Sequence, residues 1–434
     1  MRQLPIIFRI IGAACVGIAV ATPQLGSAQE PLTLARALEL AKTRNGDVRS
    51  AIFNLLAADS LVKQAFSNFL PTITPTYTYL SARREQTADL GGHFAQSEGG
   101  TTTVQGAWRV LDTGERDLTY RSTRRSFDAQ RLTTLQTLRT TLFSVQQQFY
   151  DTLRAQELET VSQAEVDRTK LVLEQTKARV ELKDAPAKDI LQAEADALNA
   201  TVSALLARNR STNAQAILKA TLGLPGTEPL PPLEQTPAPE LVKPEGELTS
   251  LLSEGIANRP DLLSRRKSIE GQKFDRERAR RGALVSLGVD LNYSPQLTPT
   301  YLQNRFFQLT VSIPLFDGGR SRQQAREIDL NLQSNLALLE QSERVARSEI
   351  ETVFKDFGQN AERVEAAQAA RAAAKKNYEA VSDSQKAGAS NLIEVITARV
   401  SLVTAESNYV EALYDYIISN VKLKLVLGRP IPGE

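Results

Sequence analysis

The segment VLDTG at residues 110–114 has a near copy, LFDGG, at residues 315–319, which lies 205 positions further along the chain. Both segments place two apolar residues before an aspartate, and both end in glycine. The same offset relates LGLP at residues 222–225 to LGRP at residues 427–430. Short motifs that recur at one offset indicate that the chain contains a repeated unit.

A third pair of similar segments supports the repeat. DILQA at residues 189–193 corresponds to EVITA at residues 394–398, again 205 positions later. We therefore predict a first repeat at residues 29–222 and a second repeat at residues 246–434. The segment between them, residues 223–245, contains seven prolines and is predicted to be an extended linker.

The N-terminal residues 1–28 have the pattern of a secretory signal peptide. Arg2 and Arg9 precede an apolar run at residues 10–21, and GSA at residues 26–28 offers small side chains for cleavage. The apolar run is too short to cross a bilayer as a helix. We therefore expect an exported protein.

The composition of the remaining chain argues against several classes of protein. Residues 29–434 contain 50 basic and 50 acidic residues, and this balance disfavours a nucleic-acid-binding protein. Cys15 is the only cysteine, so no disulfide or thiolate metal site is expected after cleavage; its alternative role, as a lipidated cysteine, stays open. His93 is the only histidine, which leaves no histidine pair for a metal and no catalytic triad. We expect no enzyme activity and no cofactor.

Two long segments with few glycines and prolines predict helical rods. Residues 115–222 contain no glycine and one proline, and residues 320–427 contain two glycines and no proline. Apolar side chains recur at gaps of three and four, as at Leu138, Leu142 and Val145. This spacing is typical of coiled-coil-like helix packing.

Each rod is interrupted once, and the interruptions correspond under the offset of 205 positions. We therefore predict an antiparallel helical hairpin with a tip in each repeat. The first tip consists of Lys183, Asp184, Ala185 and Pro186, and the second tip consists of Ala387, Gly388, Ala389, Ser390 and Asn391.

Before each rod, the apolar residues change from a helical period to the period of a strand. Ile73, Tyr77 and Tyr79 alternate with threonines in the first repeat, and Val289 and Leu291 alternate with polar residues in the second. Another alternating stretch leads into VLDTG and into LFDGG, which gives four strands in all. Strands of about ten residues with one apolar face are typical of membrane barrels, although a half-buried sheet has the same pattern. Four strands cannot close such a barrel, so several chains would share one.

The two strand pairs are predicted to be hairpins with loops of different length. The repeat offset changes from 214 to 205 between the paired strands, which places the difference at residues 83–100 and 294–304. His93 would then lie in an exposed loop.

The repeated Asp-x-Gly motif stands where a strand ends and a rod begins. Asp112 and Asp317 are expected to cap the following helices, with Glu115 completing a capping box in the first repeat only. The glycines expected to permit the sharp change of direction are Gly114, Gly318 and Gly319.

In this order, the elements resemble those of the TolC family of outer-membrane efflux proteins. The resemblance runs from about Leu32 to Pro430 and includes LFDGG, FLP at residues 69–71, and NRPDL at residues 258–262. It implies a mainly α fold with a small β part, in which long antiparallel coiled-coil-like helices accompany four transmembrane β-strands per chain. In this family, three chains close a twelve-stranded barrel that continues as a helical tube.

The resemblance also implies a function and partners. The protein would be a homotrimeric, passive exit duct of a tripartite efflux or secretion system, located in the outer membrane and extending into the periplasm. A periplasmic adaptor (membrane fusion) protein would dock at the tips, and an inner-membrane pump would supply energy. The alternative is a periplasmic coiled-coil spacer or adaptor, which would explain the rods but not four amphipathic strands.

In the TolC family, acidic side chains just beyond the second tip form a gate. Aligned on Gly388, the corresponding positions are Glu394 and Thr397, and Asp189 is the repeat counterpart of Glu394. Ser390 stands where the family has a basic residue. The resemblance implies a periplasmic gate at these positions. The alternative is that Glu394 and Asp189 are solvated carboxylates favoured by the helix dipole.

Overall fold

The computed structural model describes residues 31–86, 93–227, 229–235, 240–242, 246–281, 285–296, 302–313, 315–387 and 389–434. The signal peptide predicted at residues 1–28, and Gly388 of the second tip, lie outside these residues. The elements in chain order are α1 (Leu34–Arg44), α2 (Gly46–Ser67), β1 (Thr72–Gln86), β2 (His93–Leu111), α3 (Glu115–Glu181), α4 (Lys188–Leu222), α5 (Leu248–Asn258), α6 (Pro260–Arg281), β3 (Ser286–Gln296), β4 (Leu302–Ser312), α7 (Arg320–Lys386) and α8 (Leu392–Val426). The fold is mainly α with a small antiparallel sheet, as predicted.

The two predicted rods are the longest helices of the structure. α3 and α7 have 67 residues each, which corresponds to ~100 Å at 1.5 Å per residue. Each folds back on a helix of 35 residues, α4 and α8 respectively. The predicted apolar stripe faces the packing surface, because Leu142, Val145 and Phe149 of α3 are fully buried. Such burial stabilises these helices more than intrinsic propensity does.

The helices form a layer that is four helices wide near the sheet and near the tips. Next to the sheet, the order of contacting helices is α2, α3, α6 and α7. Toward the tips, the order is α4, α3, α8 and α7. α7 therefore forms one edge of the layer near the sheet and near the tips, whereas α2 and α4 form the opposite edge. Between these two levels, α7 also contacts α5.

The strands form one antiparallel sheet in the order β1-β2-β3-β4. β1 pairs with β2 as far as Gln86 and His93, and β3 pairs with β4 as far as Gln296 and Leu302. Among the described residues, β1 and β4 each pair on one side only. Two open edges flank the sheet, so the chain by itself does not close a barrel.

The predicted extent of the two hairpin loops was wrong. Much of residues 83–100 and 294–304 belongs to strands, and His93 begins β2 instead of lying in a loop. The reason is that ladder hydrogen bonds join backbone groups, so pairing continues through polar and glycine-rich sequence where the apolar alternation stops.

One face of the sheet is apolar. The register aligns Ile73 with Gly106, Gly106 with Leu291, and Leu291 with Phe307 across all four strands. Side chains of directly paired residues lie on the same face of a sheet. Ile73 is 74% exposed and Phe307 is 66% exposed. A single chain thus leaves this apolar face open to its surroundings.

The other face of the sheet is polar. The register aligns Thr72 with Ala107, Ala107 with Asp290, and Asp290 with Gln308. The alternation predicted from the sequence is therefore present in all four strands, with apolar side chains on one face and polar side chains on the other.

The core lies midway along the helices, where the two hairpins meet. Phe149 of α3 and Tyr414 of α8 belong to one cluster of buried residues, and Ile350 and Tyr416 belong to a second cluster. The segment at residues 223–245 lies against this region, because the Tyr416 hydroxyl accepts a hydrogen bond of 2.7 Å from the backbone of Val242.

The N-terminal and C-terminal segments meet the same region. Leu32 forms an isolated β-bridge with Leu233. The guanidinium of Arg139, which is buried in α3, donates two hydrogen bonds of 2.9 Å to the Glu434 carboxylate and one of 2.8 Å to the Gly428 carbonyl. These contacts tie the chain ends and the linker to the middle of the helical layer.

Candidate functional site

The first strand-to-helix turn is held by Asp112, which is buried. Its carboxylate accepts hydrogen bonds from the backbone of Gly114 at 3.1 Å and of Arg116 at 3.2 Å. Asp112 therefore binds a backbone N–H group in the first turn of α3, although the N-cap residue of this helix is Gly114 and not Asp112 as predicted. The predicted capping box is wrong, because the Glu115 carboxylate instead accepts a hydrogen bond of 3.2 Å from Arg109. An opposite charge within reach is the stronger partner for a carboxylate.

The second turn repeats this geometry on the surface. The Asp317 carboxylate accepts hydrogen bonds from the backbone of Gly319 at 2.9 Å and of Ser321 at 3.0 Å. Hydrogen bonds from the side chain and the backbone of Ser321 and from the Gly319 backbone lower the pKa of Asp317. Gly318 and Gly319 have φ angles of 67° and 84°. This left-handed conformation favours glycine.

Thr113 occupies the position of Gly318 in the first turn, and its φ angle is 52°. Gly114 follows with a φ angle of 88°. Both turns therefore use two consecutive left-handed residues, although only the second turn has two glycines. The sequence motif predicted the need for glycine at Gly114 but not the conformation of Thr113.

The first tip joins α3 to α4. Lys183 has a φ angle of 58°, and the Asp184 carboxylate accepts a hydrogen bond of 2.9 Å from Arg179. Ala185, Pro186 and the N-cap residue Ala187 complete the connection before α4 begins at Lys188. Leu182 beside them is 80% exposed.

The second tip joins α7 to α8. Among its predicted residues, Ala387, Ala389, Ser390 and Asn391 are described, and Gly388 is not. The Ala389 backbone donates a hydrogen bond of 2.8 Å to the carbonyl of Ser384 in α7. Asn391 is the residue that caps α8.

The predicted gate residue Glu394 takes part in that cap. The Asn391 side chain accepts a hydrogen bond of 2.9 Å from the Glu394 backbone and donates one of 3.0 Å to the Glu394 carboxylate. Thr397 donates its hydroxyl to the carbonyl of Ile393 at 2.8 Å. Glu394 and Thr397 are exposed on one helix, and Asp189 lies half-buried in the first turn of α4. Within the described part of the chain, no hydrogen bond or ion pair joins Asp189 to either of them.

A buried ion pair that was not predicted lies close to these residues. Arg399 of α8 is 4% exposed, and its guanidinium donates hydrogen bonds to Glu165 of α3 at 2.6 Å and to Asp196 of α4 at 3.4 Å. Burial raises the pKa of Glu165, although its hydrogen bond with Arg399 and the charges of Arg399 and Arg168 oppose this rise. Arg399 thus joins three helices about 10 Å from the start of α8.

Further polar contacts follow the seam between the two hairpins, that is, the surface along which α3 packs against α8. Arg168 of α3 donates two hydrogen bonds to Glu406 of α8, at 3.0 and 3.2 Å. Tyr414 donates to Glu157 at 2.7 Å. Burial, with the nearby Glu157 carboxylate, raises the pKa of Tyr414. These bonds fix α8 against α3 within one chain.

On the tip side of Arg399, the seam is apolar. Val172 of α3 packs with Leu392 and Val395 of α8 in a small buried cluster. Among the described hydrogen bonds between the two hairpins, those of Arg399 lie nearest to the tips. A sequence signal for it existed, because Arg399 interrupts the apolar stripe that contains Val395 and Leu402.

These features define a class of protein. An amphipathic sheet with an exposed apolar face and two open edges stands on helical hairpins that are ~100 Å long, as in a channel subunit of the outer membrane. None of the described helices combines the length and the apolar character needed to cross a membrane.

The sequence profile of the family described as "Outer membrane efflux protein" matches residues 37–224 and 251–429. The chain belongs to this family. Its members are channel proteins of the outer membrane and not enzymes.

Relatives and solved structures agree with this assignment. The chain is 25% identical to the outer membrane protein TolC of Vibrio cholerae serotype O1 over 95% of this chain and 94% of the relative. It is 23% identical to TolC of Escherichia coli K12 over 91% of this chain and 82% of the relative. The CmeC outer membrane channel of Campylobacter jejuni has a similar fold, with a TM-score of 0.81 at 18% identity over 91% of this chain and 85% of that chain.

Proposed function

We propose that this protein is the passive exit duct of a tripartite efflux or secretion system, and that it spans the outer membrane and extends into the periplasm. The observation that carries this proposal is the combination of an open amphipathic sheet with long helical hairpins in one chain. The membership in an outer-membrane efflux family supports it.

The chain is proposed to be a tandem duplication, with repeats at residues 29–222 and 246–434 and a linker at residues 223–245. Helices at corresponding places have equal lengths, namely 11 residues in α1 and α5, 22 in α2 and α6, 67 in α3 and α7, and 35 in α4 and α8. The residues matched by the family profile divide at the same linker.

The duct is proposed to be a homotrimer. Open sheet edges are not tolerated in lipid, so β1 of one copy has to pair with β4 of another. Three copies of the four-stranded sheet would close a twelve-stranded barrel, which lies within the range of known membrane barrels. The apolar face, with Ile73 and Phe307, would contact outer-membrane lipid, and the polar face would line the lumen.

The partners proposed from the family resemblance are a periplasmic adaptor protein and an inner-membrane pump. The adaptor would dock at the tips, namely Lys183, Asp184, Ala185 and Pro186 with Ala387, Gly388, Ala389, Ser390 and Asn391. Large apolar side chains beside these tips support a docking role, because Leu182 is 80% exposed and Ile393 is 71% exposed. Exposed apolar side chains that cluster at one end of a molecule mark contact sites.

Glu394 is proposed to be the main residue of a periplasmic gate, with Thr397 and the more distant Asp189 contributing to its lining. In a closed trimer, each copy would place one exposed Glu394 near the axis, and three carboxylates at a narrow point would favour cations. The cap with Asn391 orients this side chain at the start of α8.

The proposed assembly predicts an oligomer that survives mild detergent and that dissociates when heated. The mature chain should run as a trimer on an unheated gel and as a monomer after boiling, because a barrel closed by ladder hydrogen bonds resists detergent. The control is the same chain refolded without detergent or lipid, which should give no such band. A monomer in every detergent would contradict the duct and favour a periplasmic spacer.

A further inference from the structure

The apolar face of the sheet has a groove at Gly106 of β2. The register aligns Gly106 with Ile73 of β1 on one side and with Leu291 of β3 on the other. Because glycine has no side chain, the row of apolar side chains is interrupted at this position. The groove has a volume of about 510 Å³, which lies within the ~300–1,000 Å³ of small-ligand pockets. The side chains around it are those of Ile73, Val104, Leu291, Tyr293, Arg305 and Phe307.

The backbone does not require a glycine at this position. The nearest atom to a Cβ added at Gly106 would be the Cβ of Leu291 at 3.7 Å, which is an ordinary van der Waals contact. The repeat counterpart of Gly106, which lies 205 positions further along the chain, is Val311. A side chain could therefore fill the groove without displacing the strands.

A positively charged side chain lies at one end of the groove. Arg305 of β4 is aligned with Tyr293 of β3, and Tyr293 is aligned with Val104 of β2. Directly paired residues share a face, so Arg305 lies on the apolar face together with the groove. Val104 stands two residues, or about 7 Å, before Gly106 in β2. Arg305 is exposed.

Tyr293 orients this cation. The guanidinium carbon of Arg305 lies 5.3 Å from the centre of the Tyr293 ring. A guanidinium that stacks on an aromatic ring can still donate hydrogen bonds from its edge, and this edge matches the oxygens of a phosphate group. The repeat counterparts of Arg305 and Tyr293 are Gly100 and Tyr79. Each chain therefore has one arrangement of this kind, in the second strand pair.

Arg305 stands at the outward end of the apolar band. The hairpin ends of the strands point away from the helices, because α3 and α7 follow the opposite ends of β2 and β4. From Arg305 toward the helices, the face continues with Phe307, Leu309, Val311 and Ile313, which are all more than half exposed. These eight residues span about 27 Å, or about 21 Å along the membrane normal at a tilt of ~40°. The apolar band of membrane barrels is about 25 Å tall, so Arg305 would lie at the level of the outer headgroups.

We propose that this groove binds lipopolysaccharide of the outer leaflet, with an acyl chain in the groove at Gly106 and a lipid phosphate on Arg305. The inference rests on the proposed function, because the outer leaflet of the outer membrane is where this lipid occurs. A cation at the edge of an apolar band is favoured when an anionic headgroup meets it. Closing the sheet into a barrel covers the strand edges and not this face, so the groove stays accessible.

Lipid titration followed by native mass spectrometry tests the phosphate contact. The probe is purified diphosphoryl lipid A, added to the detergent-solubilised oligomer. The wild type should bind up to one lipid per chain. Arg305→Gln should weaken binding about ten-fold or more, because a charge-assisted hydrogen bond is lost. Arg305→Lys keeps the charge without the bidentate geometry, so its affinity should lie between the two.

Filling the groove tests the acyl-chain contact independently. Gly106→Leu should weaken binding of lipid A about ten-fold, because roughly two methylene groups of the acyl chain lose their buried contacts. The matched control is Gly288→Leu in β3. Gly288 is aligned with Thr310 on the polar face, and no atom lies within 4 Å of a Cβ added there. Arg322→Gln, at an exposed position of α7, is the control for the loss of one positive charge. Both controls should bind lipid A as the wild type does.

The outcomes distinguish this inference from the proposed function. Weaker binding in Arg305→Gln and in Gly106→Leu, with both controls unchanged, supports the site. Intact oligomers that bind lipid A equally well in all variants overturn the site and leave the duct in place. Phosphatidylglycerol is the comparison lipid, and equally tight binding of it that depends equally on Arg305 overturns the assignment to lipopolysaccharide. A chain that is monomeric in every detergent overturns both the site and the duct.

Discussion

Replacing Phe307 with lysine is expected to prevent assembly in the outer membrane. Phe307 lies at the middle of β4 on the apolar face, and it is 66% exposed in the single chain. A lysine on the lipid face of a barrel near the bilayer midplane costs about 2–4 kcal/mol. The proposed trimer would carry three such lysines. The measurement is the amount of heat-modifiable oligomer in the outer-membrane fraction, which should fall to a small part of the wild-type amount.

The matched control is Gln308→Lys, one residue further along the same strand. Gln308 lies on the polar face, where it is aligned with Asp290 of β3. A lysine there would face water and an opposite charge, so assembly should be normal and the ion selectivity should shift toward anions. Equal assembly of Phe307→Lys and Gln308→Lys would show that the apolar face does not meet lipid.

Replacing Arg399 with alanine is expected to loosen the seam between the two hairpins near the tips. The change leaves the buried carboxylate of Glu165 without its closest cation. Removing one partner of a buried ion pair costs about 3–5 kcal/mol. Amide hydrogen exchange in the first half of α8 should therefore accelerate by roughly two to four orders of magnitude.

An exposed ion pair provides the control for this variant. Lys355 pairs with Glu351 on the surface of α7 at 2.7 Å, and its side chain is 61% exposed. Lys355→Ala should change exchange little, because exposed pairs contribute less than about 1 kcal/mol. Similar exchange in Arg399→Ala and Lys355→Ala would show that Arg399 does not hold the hairpins together.

The order of helices and strands could be predicted because each element has a regular spacing of apolar residues along the sequence. Two alternating stretches before each of the motifs VLDTG and LFDGG defined the strands, and the glycine-poor segment after each motif defined the long helices. The loop limits could not be predicted, because β-ladder bonds between backbone groups extend through residues such as His93 that carry no strand signal. The partner of Glu115 depended on a tertiary approach of Arg109 that no local motif encodes.

The candidate site was predictable only in part. The bonds from Asp112 and Asp317 to backbone N–H groups in the first turns of α3 and α7 follow from local spacing, although the N-cap residues are Gly114 and Gly319. The hydrogen-bond partners of Arg399, Glu165 and Asp196, are each more than two hundred positions away in the sequence. The sequence therefore shows a charged residue in an apolar stripe, but it does not show which residues pair with it. The gate at Glu394 stays a prediction.

Single-channel conductance in a planar bilayer tests the proposed duct most directly. Purified, signal-cleaved protein should insert and give discrete, small and cation-selective openings, because a ring of Glu394 side chains would narrow the proposed lumen. Glu394→Ala should keep the openings and lose most of the cation preference, read as a shift of the reversal potential in a salt gradient. Openings that are identical in both proteins would remove Glu394 from the gate. A protein that never inserts and stays soluble without detergent would contradict the duct itself.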